Sequence, residues 1–285
     1  MAKFLITGAG GMLGQAVTRE FQGRNHTVTA LSHAWLDITD LAAVKQALVE
    51  YTPEVIINCA AYTKVDQAET DYEAAVQVNA LGVRNLALAC KETGAVLVHI
   101  STDYVFDGQK NEPWNIYDTR HPINAYGRSK YLGERFLETI APRYYLVRTS
   151  WLFGPGGPNF VETILKLARE KETLTVVDDQ WGCPTYTIDL ARALAGLVAS
   201  GCYGVYHITN QGATTWYRFA REILAAAGVK TNIKPVTTAA FPRPARRPAY
   251  SVLDPFPLKE TIGYLLPPWQ DALMRYFAER RNTDW

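Results

Sequence analysis

The sequence predicts an α/β fold: a doubly wound parallel sheet of the Rossmann type with a smaller C-terminal substrate lobe. Two observations carry the prediction. Short, almost wholly apolar runs alternate through the first half with stretches of helical periodicity, as expected for parallel strands covered on both faces. The first such run passes directly into a glycine-rich turn and a helix. Because crossovers between parallel strands are right-handed, a chain of this kind opens its ligand crevice at the strand C-termini.

The elements follow in order. Residues 3–7 read as a buried strand, and Gly8-Ala9-Gly10-Gly11-Met12-Leu13-Gly14 leads into a helix whose stripe is Leu13, Val17 and Phe21. Thr27 to Leu31 is a second strand. Leu41, Val44 and Leu48 mark a helix with Thr39 or Asp40 as N-cap, closed before Pro53. Val55-Ile56-Ile57 is a third strand, followed by one long helix with Val76, Ala80, Val83, Ala87 and Cys90 on one face and Gly94 at its end. Ala95 to Ile100 is the fourth strand, and Tyr144 to Thr149 the fifth, after a helix carrying Tyr126 and Lys130. The strand ends to watch are therefore Asn58 to Thr63, Ser101 to Tyr104, and Ser150-Trp151.

Beyond Trp151 the alternation loosens. Gly154 to Asn159 is a loop before a helix with Phe160, Ile164 and Leu167 on one side. A short strand over Leu174 to Val177 follows, then a helix over Ile188 to Ala199, a strand over Val205 to Ile208, and a helix from Tyr217 to Ala227 ended by Gly228. The tail, Trp269 to Tyr276, is an amphipathic helix with Leu273 and Phe277 facing inward. The domains expected are a dinucleotide-binding unit over 1–150 and a mainly substrate-binding lobe over 151–285. The stretch around 187–208 is a candidate to rejoin the first.

Composition narrows the function classes. With 285 residues and 48% hydrophobic content the chain can bury a sizeable core, as one large domain or two closely joined ones. Twenty-nine basic against 28 acidic residues leave no charge bias, so no nucleic-acid footprint is expected. Phe4-Leu5-Ile6 is too short for a signal peptide, and no run approaches a membrane span, so a cytoplasmic location and no membrane partner are expected. Cys59, Cys90, Cys183 and Cys202 are too scattered for a zinc cluster or a disulfide framework. His99 and His207, within strands, read as satisfied core histidines.

The glycine turn suits a pyrophosphate, whose charge is met by amides and the dipole at a helix N-terminus. After the second strand, where NAD-dependent proteins commonly place a carboxylate, stands Leu31-Ser32-His33. Ser32 and His33 suit a 2′-phosphate, which favours NADPH, with NADH as the alternative. Asp37, with Ile38 beside it, either meets the adenine edge or starts the following helix. Tyr126 and Lys130 lie on one helix face, and Thr102 ends the fourth strand. A ketone oxygen between Thr102 and Tyr126 receives the phenol proton as hydride arrives at carbon. The Lys130 ammonium then stabilises the phenolate of a group whose free pKa is ~10 while also holding the nicotinamide ribose, so Tyr126 and Lys130 are cofactor-binding residues as well as catalytic ones.

Gly8, Gly11 and Gly14, Asn58-Cys59-Ala60-Ala61, Asn79 with Gly82, Ser101-Thr102-Asp103 and Tyr126-x3-Lys130 together resemble the extended short-chain dehydrogenase/reductase superfamily. The resemblance sharpens to the dTDP-4-dehydrorhamnose reductase family at four stretches: Ala60 to Glu69, Ser101 to Gly108, Arg148 to Gly154, and Arg247-Pro248-x2-Ser251-x-Leu253-Asp254. It covers nearly the whole chain. It implies Tyr126 as catalytic acid, Lys130 as its partner and Thr102 as the group holding the ketone. Ala60, Ala61, Tyr62 and Thr63 would line the cofactor, and Asp103, Tyr104, Trp151 and Arg247 would meet the sugar nucleotide. On residues alone, Trp151 is equally a core aromatic and Arg247 equally part of a solvated connector, while Arg243 and Arg246 stay undecided.

The reaction implied is NADPH-dependent reduction of dTDP-4-dehydro-6-deoxy-L-mannose to dTDP-L-rhamnose. The alternatives are another nucleotide-deoxysugar ketoreductase, an epimerase, or a non-catalytic regulatory relative. Asp103-Tyr104 after the threonine, in place of the Asp-Glu of related dehydratases, argues against dehydration. Some relatives form metal-bridged dimers through a glutamate early in the first helix. Here Gln15 and Ala16 stand there, so no metal and a monomer or weak homodimer are expected.

Overall fold

The structure, a computed structural model, describes residues 1–282. The first half contains β1 (Lys3–Thr7), α1 (Met12–Gly23), β2 (Thr27–Leu31), α2 (Leu41–Tyr51), β3 (Val55–Asn58), α3 (Tyr72–Val76), α4 (Val83–Thr93), β4 (Val96–Thr102), α5 (Ala125–Ile140) and β5 (Tyr144–Thr149). The second contains β6 (Leu152–Phe153), α6 (Phe160–Glu170), β7 (Thr173–Val177), β8 (Trp181–Gly182), β9 (Thr185–Tyr186), α7 (Thr187–Ser200), β10 (Gly204–His207), β11 (Thr214–Thr215), α8 (Trp216–Ala226), β12 (Asn232–Val236), α9 (Leu258–Ile262) and α10 (Trp269–Asn282).

Six parallel strands form the central sheet in the order β10-β5-β4-β3-β1-β2. The order reverses between β1 and β3, and that switch point is where a doubly wound sheet opens its crevice. Alternate residues of each strand enter different cores. Phe4, Ile6, Ile57, Val98 and Val147 meet Leu13, Val17 and Phe21 of α1 and Leu190, Leu194 and Leu197 of α7. Leu5, Ile56, Leu97 and Leu146 meet Val44 and Leu48 of α2, Leu86 and Cys90 of α4, and Leu137 of α5. Each such side chain contributes about 1.5–3 kcal/mol on burial, so the sheet is held from both faces. A third core joins α6, α8 and α10 around Phe153, Ile164, Phe219, Leu273 and Phe277.

Four details differ from the sequence reading. β4 runs on through Ser101 and Thr102, so the expected loop residues are strand residues buried against β5. The single long helix is two α-segments joined by a π-helical turn, Gln77–Gly82, whose extra residue per turn shifts the face presented by Asn79. The α6 face is centred on Val161, Ile164 and Leu165, with Phe160 and Leu167 only partly buried. β6, β8, β9 and β11 have two residues each, too few to show a period. All four cysteines are free, and among the described residues no helix is long and apolar enough to cross a membrane.

Candidate active site

The glycine loop connects β1 to α1 beside the end of β3. Gly14 packs so tightly that a Cβ there would drive into the Gly8 carbonyl oxygen, which brings the start of α1 against the loop. Gly11 is the extended N-cap and offers no side-chain cap, so the first-turn amides of α1 and the positive end of its dipole face outward. A Cβ on Gly11 would meet nothing nearer than the Gly8 oxygen at 3.4 Å. This is a cradle that a side chain would fill and that a pyrophosphate fits. Gly10, Gly11, Met12, Leu13 and Gly14 line one wall of a cleft of about 460 Å³. Gly156, Gly157 and Pro158 line another, and Gln15 ties the two, its Nε2 donating to the carbonyls of Gly10 (2.9 Å) and Gly156 (3.0 Å).

Beyond Gly10 the Ser32 side chain stands 3.5 Å from where a Gly10 Cβ would lie, and His33 is exposed beside it. No carboxylate directly follows β2. Asp37 turns inward instead, accepting from Thr39 N (2.9 Å) and Thr39 Oγ1 (2.8 Å). Burial alone would raise its pKa, but the Thr39 hydrogen bonds prevail and hold it below the ordinary value. Both bonds fall on Oδ1, which suits the helix entry and leaves the adenine-edge reading standing beside it. Ile38 is buried beneath Gly82, and its carbonyl accepts from Asn85 Nδ2 at 3.0 Å.

Past β3, Cys59, Ala61 and Thr63 line the cleft, and Ala60 and Tyr62 do not. The segment is clamped by Asn79, which accepts from Tyr62 N (2.9 Å) and donates to Tyr62 O (3.0 Å) and Ser129 Oγ (2.9 Å). Ser129 Oγ in turn donates to the Tyr126 carbonyl at 2.7 Å. The π turn therefore joins the loop after β3 to the helix bearing Tyr126.

Thr102, Tyr126 and Lys130 meet on the remaining wall with Asp103 and Ile100. α5 starts at Asn124, whose Oδ1 accepts from Gly127 N, and this N-cap fixes where its first turn carries Tyr126. The Tyr126 hydroxyl faces Thr102, and Thr102 Oγ1 donates to Asp103 Oδ1 at 2.9 Å while accepting from Tyr104 N at 3.2 Å. Burial pushes the Tyr126 phenol well above its ordinary value, so it stands as a protonated acid. Burial pulls the Lys130 ammonium down to about 8, with Glu134 and Cys59 opposing. Asp103 is pushed up to about 7 by burial, and its Oδ2 has no hydrogen-bond partner among the described residues. Lys130 Nζ donates to the Ile100 carbonyl at 2.6 Å. One turn beyond Lys130 on α5, Glu134 anchors the helix by accepting from Arg148 Nε (3.0 Å) and Nη2 (2.9 Å), Arg120 Nη1 (2.9 Å) and Ser101 Oγ (2.5 Å).

Trp151 lines the cleft and is also packed: its indole stacks on Trp216 at 3.4 Å between centroids and lies over Gly182, from a backbone φ of 47°. Core aromatic and cleft wall are thus one residue. Tyr104 sits edge-on to Tyr126 at 6.0 Å. Arg247 and Arg243 both bond to Asp66, pinning the 241–248 run to the loop after β3. Burial would raise the Asp66 carboxyl, but the two guanidiniums hold it well below the usual carboxylate range. Arg246 is exposed. The contributions of Gln15, Thr149 and the Gly156-Gly157-Pro158 wall were not drawn from the sequence. The strand-end rule applied to β5 would have found Thr149, whereas nothing local announces that a loop 140 residues on closes over the glycine turn.

Residues 2–282 match the family model described as the RmlD substrate binding domain. Over 282 residues the chain is 45% identical to a dTDP-4-dehydrorhamnose reductase of Streptomyces griseus, a match covering 96% of this chain and 93% of that protein. The crystal structure of a dTDP-4-dehydrorhamnose reductase from Clostridium acetobutylicum superposes with a TM-score of 0.96 at 44% identity, covering 98% of this chain and 99% of that one. The enzyme of the same name from Bacillus anthracis, solved in complex with NADP, gives 0.95 at 42% identity, again covering 98% and 99%.

Proposed function

This chain belongs to the RmlD substrate binding domain family, and from that premise we propose that it is an NADPH-dependent reductase converting dTDP-4-dehydro-6-deoxy-L-mannose to dTDP-L-rhamnose at the C4 ketone. The observation that carries the reading is the convergence, in one cleft, of an uncapped helix N-terminus with Thr102, Tyr126 and Lys130.

The residues fit the cofactor. Gly8 to Gly14 would hold the pyrophosphate, Ser32 and His33 the 2′-phosphate, and Ala61 and Thr63 the dinucleotide's inner half. When bound, NADPH supplies the hydride. The chain's own residues do the rest. Thr102 and Tyr126 converge on the ketone oxygen, and Tyr126 gives it a proton. Lys130 stabilises the resulting phenolate. Asp103 and Trp151 orient the sugar from the cleft wall, while Arg247 and Tyr104 act from behind it, towards the nucleotide. In this reading residues 1–150 bind the dinucleotide and 151–285 mainly the dTDP-sugar, with α7 and β10 returned to the first unit. We take the protein to be cytoplasmic, and a monomer or weak homodimer.

The test is incubation with NADPH and the dTDP-ketosugar, following loss of reduced-cofactor absorbance and product by mass. Stoichiometric oxidation with dTDP-L-rhamnose as product is expected. In Tyr126→Phe, kcat should fall about 10²–10⁴-fold with cofactor affinity unchanged. Undiminished reduction in that variant would remove Tyr126 as the acid, and no oxidation in the parent protein would remove the activity.

A further inference from the structure

We propose that His99 is a positioning residue that presents an N–H to Lys130 and so presets the lysine to release its proton. This rests on the reading above only in taking Lys130 as the partner of Tyr126.

The argument starts from a backbone amide. Ala60 N–H can only donate, and its acceptor is Asn58 Oδ1 at 3.1 Å. The Thr7 hydroxyl donates to the same oxygen at 2.7 Å. The Asn58 carboxamide is therefore fixed, and its Nδ2 faces Nδ1 of the buried His99 at 3.1 Å. An amide NH₂ donates and does not accept, so Nδ1 is the acceptor and the neutral ring carries its proton on Nε2. Nε2 lies 3.4 Å from Lys130 Nζ.

Against an ammonium this sets donor against donor. Against a free amine it is a hydrogen bond: the amine accepts from Nε2–H, donates to the Ile100 carbonyl at 2.6 Å, and keeps one N–H for the cleft. His99 does not escape by taking up a proton, because burial, and then Lys130, hold its pKa well below the ordinary value. The other groups acting on Lys130 are Cys59 after β3 and, on its own helix, Glu134, while Tyr126 shares the cleft wall with it. Cys59 and Glu134 favour the ammonium. Glu134 is already engaged by Arg148 and Arg120, and the Cys59 thiol is pushed by burial to about 12 and stays neutral. The chain Thr7–Asn58–His99 thus works against the ammonium from a position that touches neither substrate nor cofactor. After Tyr126 has protonated the ketone oxygen, the Lys130 proton passes to the phenolate, leaving phenol and free amine, and the amine is reprotonated from solvent.

The tautomer is read directly by long-range ¹H–¹⁵N correlation on cofactor-free protein labelled at histidine nitrogen. His99 is expected with its proton on Nε2; a proton on Nδ1 would overturn the proposal. Asn58→Asp places an acceptor where the amide donor stood, so the ring should switch to the Nδ1–H form. The alkaline limb of kcat/KM should then move up by about one unit as the ammonium gains an acceptor. The added charge alone also raises that limb, so the same substitution is made in a His99→Leu background, where less than half the shift is expected. Equal shifts in both backgrounds would make His99 passive. If the parent protein reduces no ketosugar, the reductase reading fails, and the tautomer still decides whether His99 is set as described.

Discussion

At the scale of single residues, Asp103 makes the sharpest demand. It lies 2% exposed at the end of β4, one oxygen bonded to Thr102 and the other without a partner among the described residues. Burial raises its pKa to about 7, against an ordinary, unfolded value near 3.8. Between those values the folded chain holds a proton that the unfolded chain has lost, so stability falls as pH rises across the window. The contribution is complete below the unfolded value and gone above the folded one, on the order of 4 kcal/mol over the full span. Asp103→Asn cannot titrate. The melting temperature of the parent protein relative to this variant should therefore climb as pH is lowered from 8 to 5, and parallel melting curves across that range would show Asp103 ionised throughout. The sequence placed Asp103 beside the threonine correctly but said nothing of its burial, because that depends on β4 continuing two residues further than its apolar run. Asp37 illustrates the converse: a carboxylate in a plausible cofactor position, one oxygen of which is held locally by Thr39.

Among elements, α5 was legible as a helix through the Tyr126/Lys130 spacing alone, and the structure adds its bounds and the Asn124 cap that fixes where its first turn begins. The inner strands β1, β3, β4 and β5 were legible because burial on both faces leaves apolar runs, and the edge strand β2, half-buried and carrying Thr27 and Thr29, was legible from its place in the alternation. What the sequence concealed is the π turn between α3 and α4. Its apolar spacing of three and four residues is compatible with a continuous helix, and the reason for the extra residue lies elsewhere, in Asn79 reaching Tyr62 and Ser129. That reach requires α5 to come very close, and Gly133 permits it: a Cβ there would collide with the Asn79 carbonyl oxygen. Gly133→Ala should cost about 1–3 kcal/mol by forcing the helices apart and weaken cofactor binding through the loosened 60–63 segment. Gly23→Ala, which meets nothing within 4 Å, should change stability by about 0.5 kcal/mol or less. Denaturant melts with cofactor titration compare the two. Equal stability of both variants would show that the α5 contact with the π turn is not tight in solution.

For the whole molecule, the division of labour between the two halves is the open structural question. A cut at 150 follows the point where the strand–helix alternation loosens, yet β10 pairs in parallel with β5 and α7 packs on α1. The stretch 187–208 was legible as a helix and a strand, and its return was no more than a candidate reading, because local periodicity carries no record of which sheet a strand joins. The energetics give that return weight. Leu190, Leu194 and Leu197 of α7 are fully buried against the same core as Ile6, Val98 and Val147. At about 1.5–3 kcal/mol each, their loss forfeits about 5–9 kcal/mol, comparable with the whole stability of a typical domain, about 5–15 kcal/mol. A fragment of residues 1–150 would leave one face of its sheet open beside α1, with β5 an unpaired edge, a state prone to aggregation. Such a fragment should show no cooperative thermal transition and little amide protection in β5, even with saturating NADP. Cooperative melting together with a protected β5 would instead establish the first 150 residues as a self-sufficient domain, and α7 as a passenger on it.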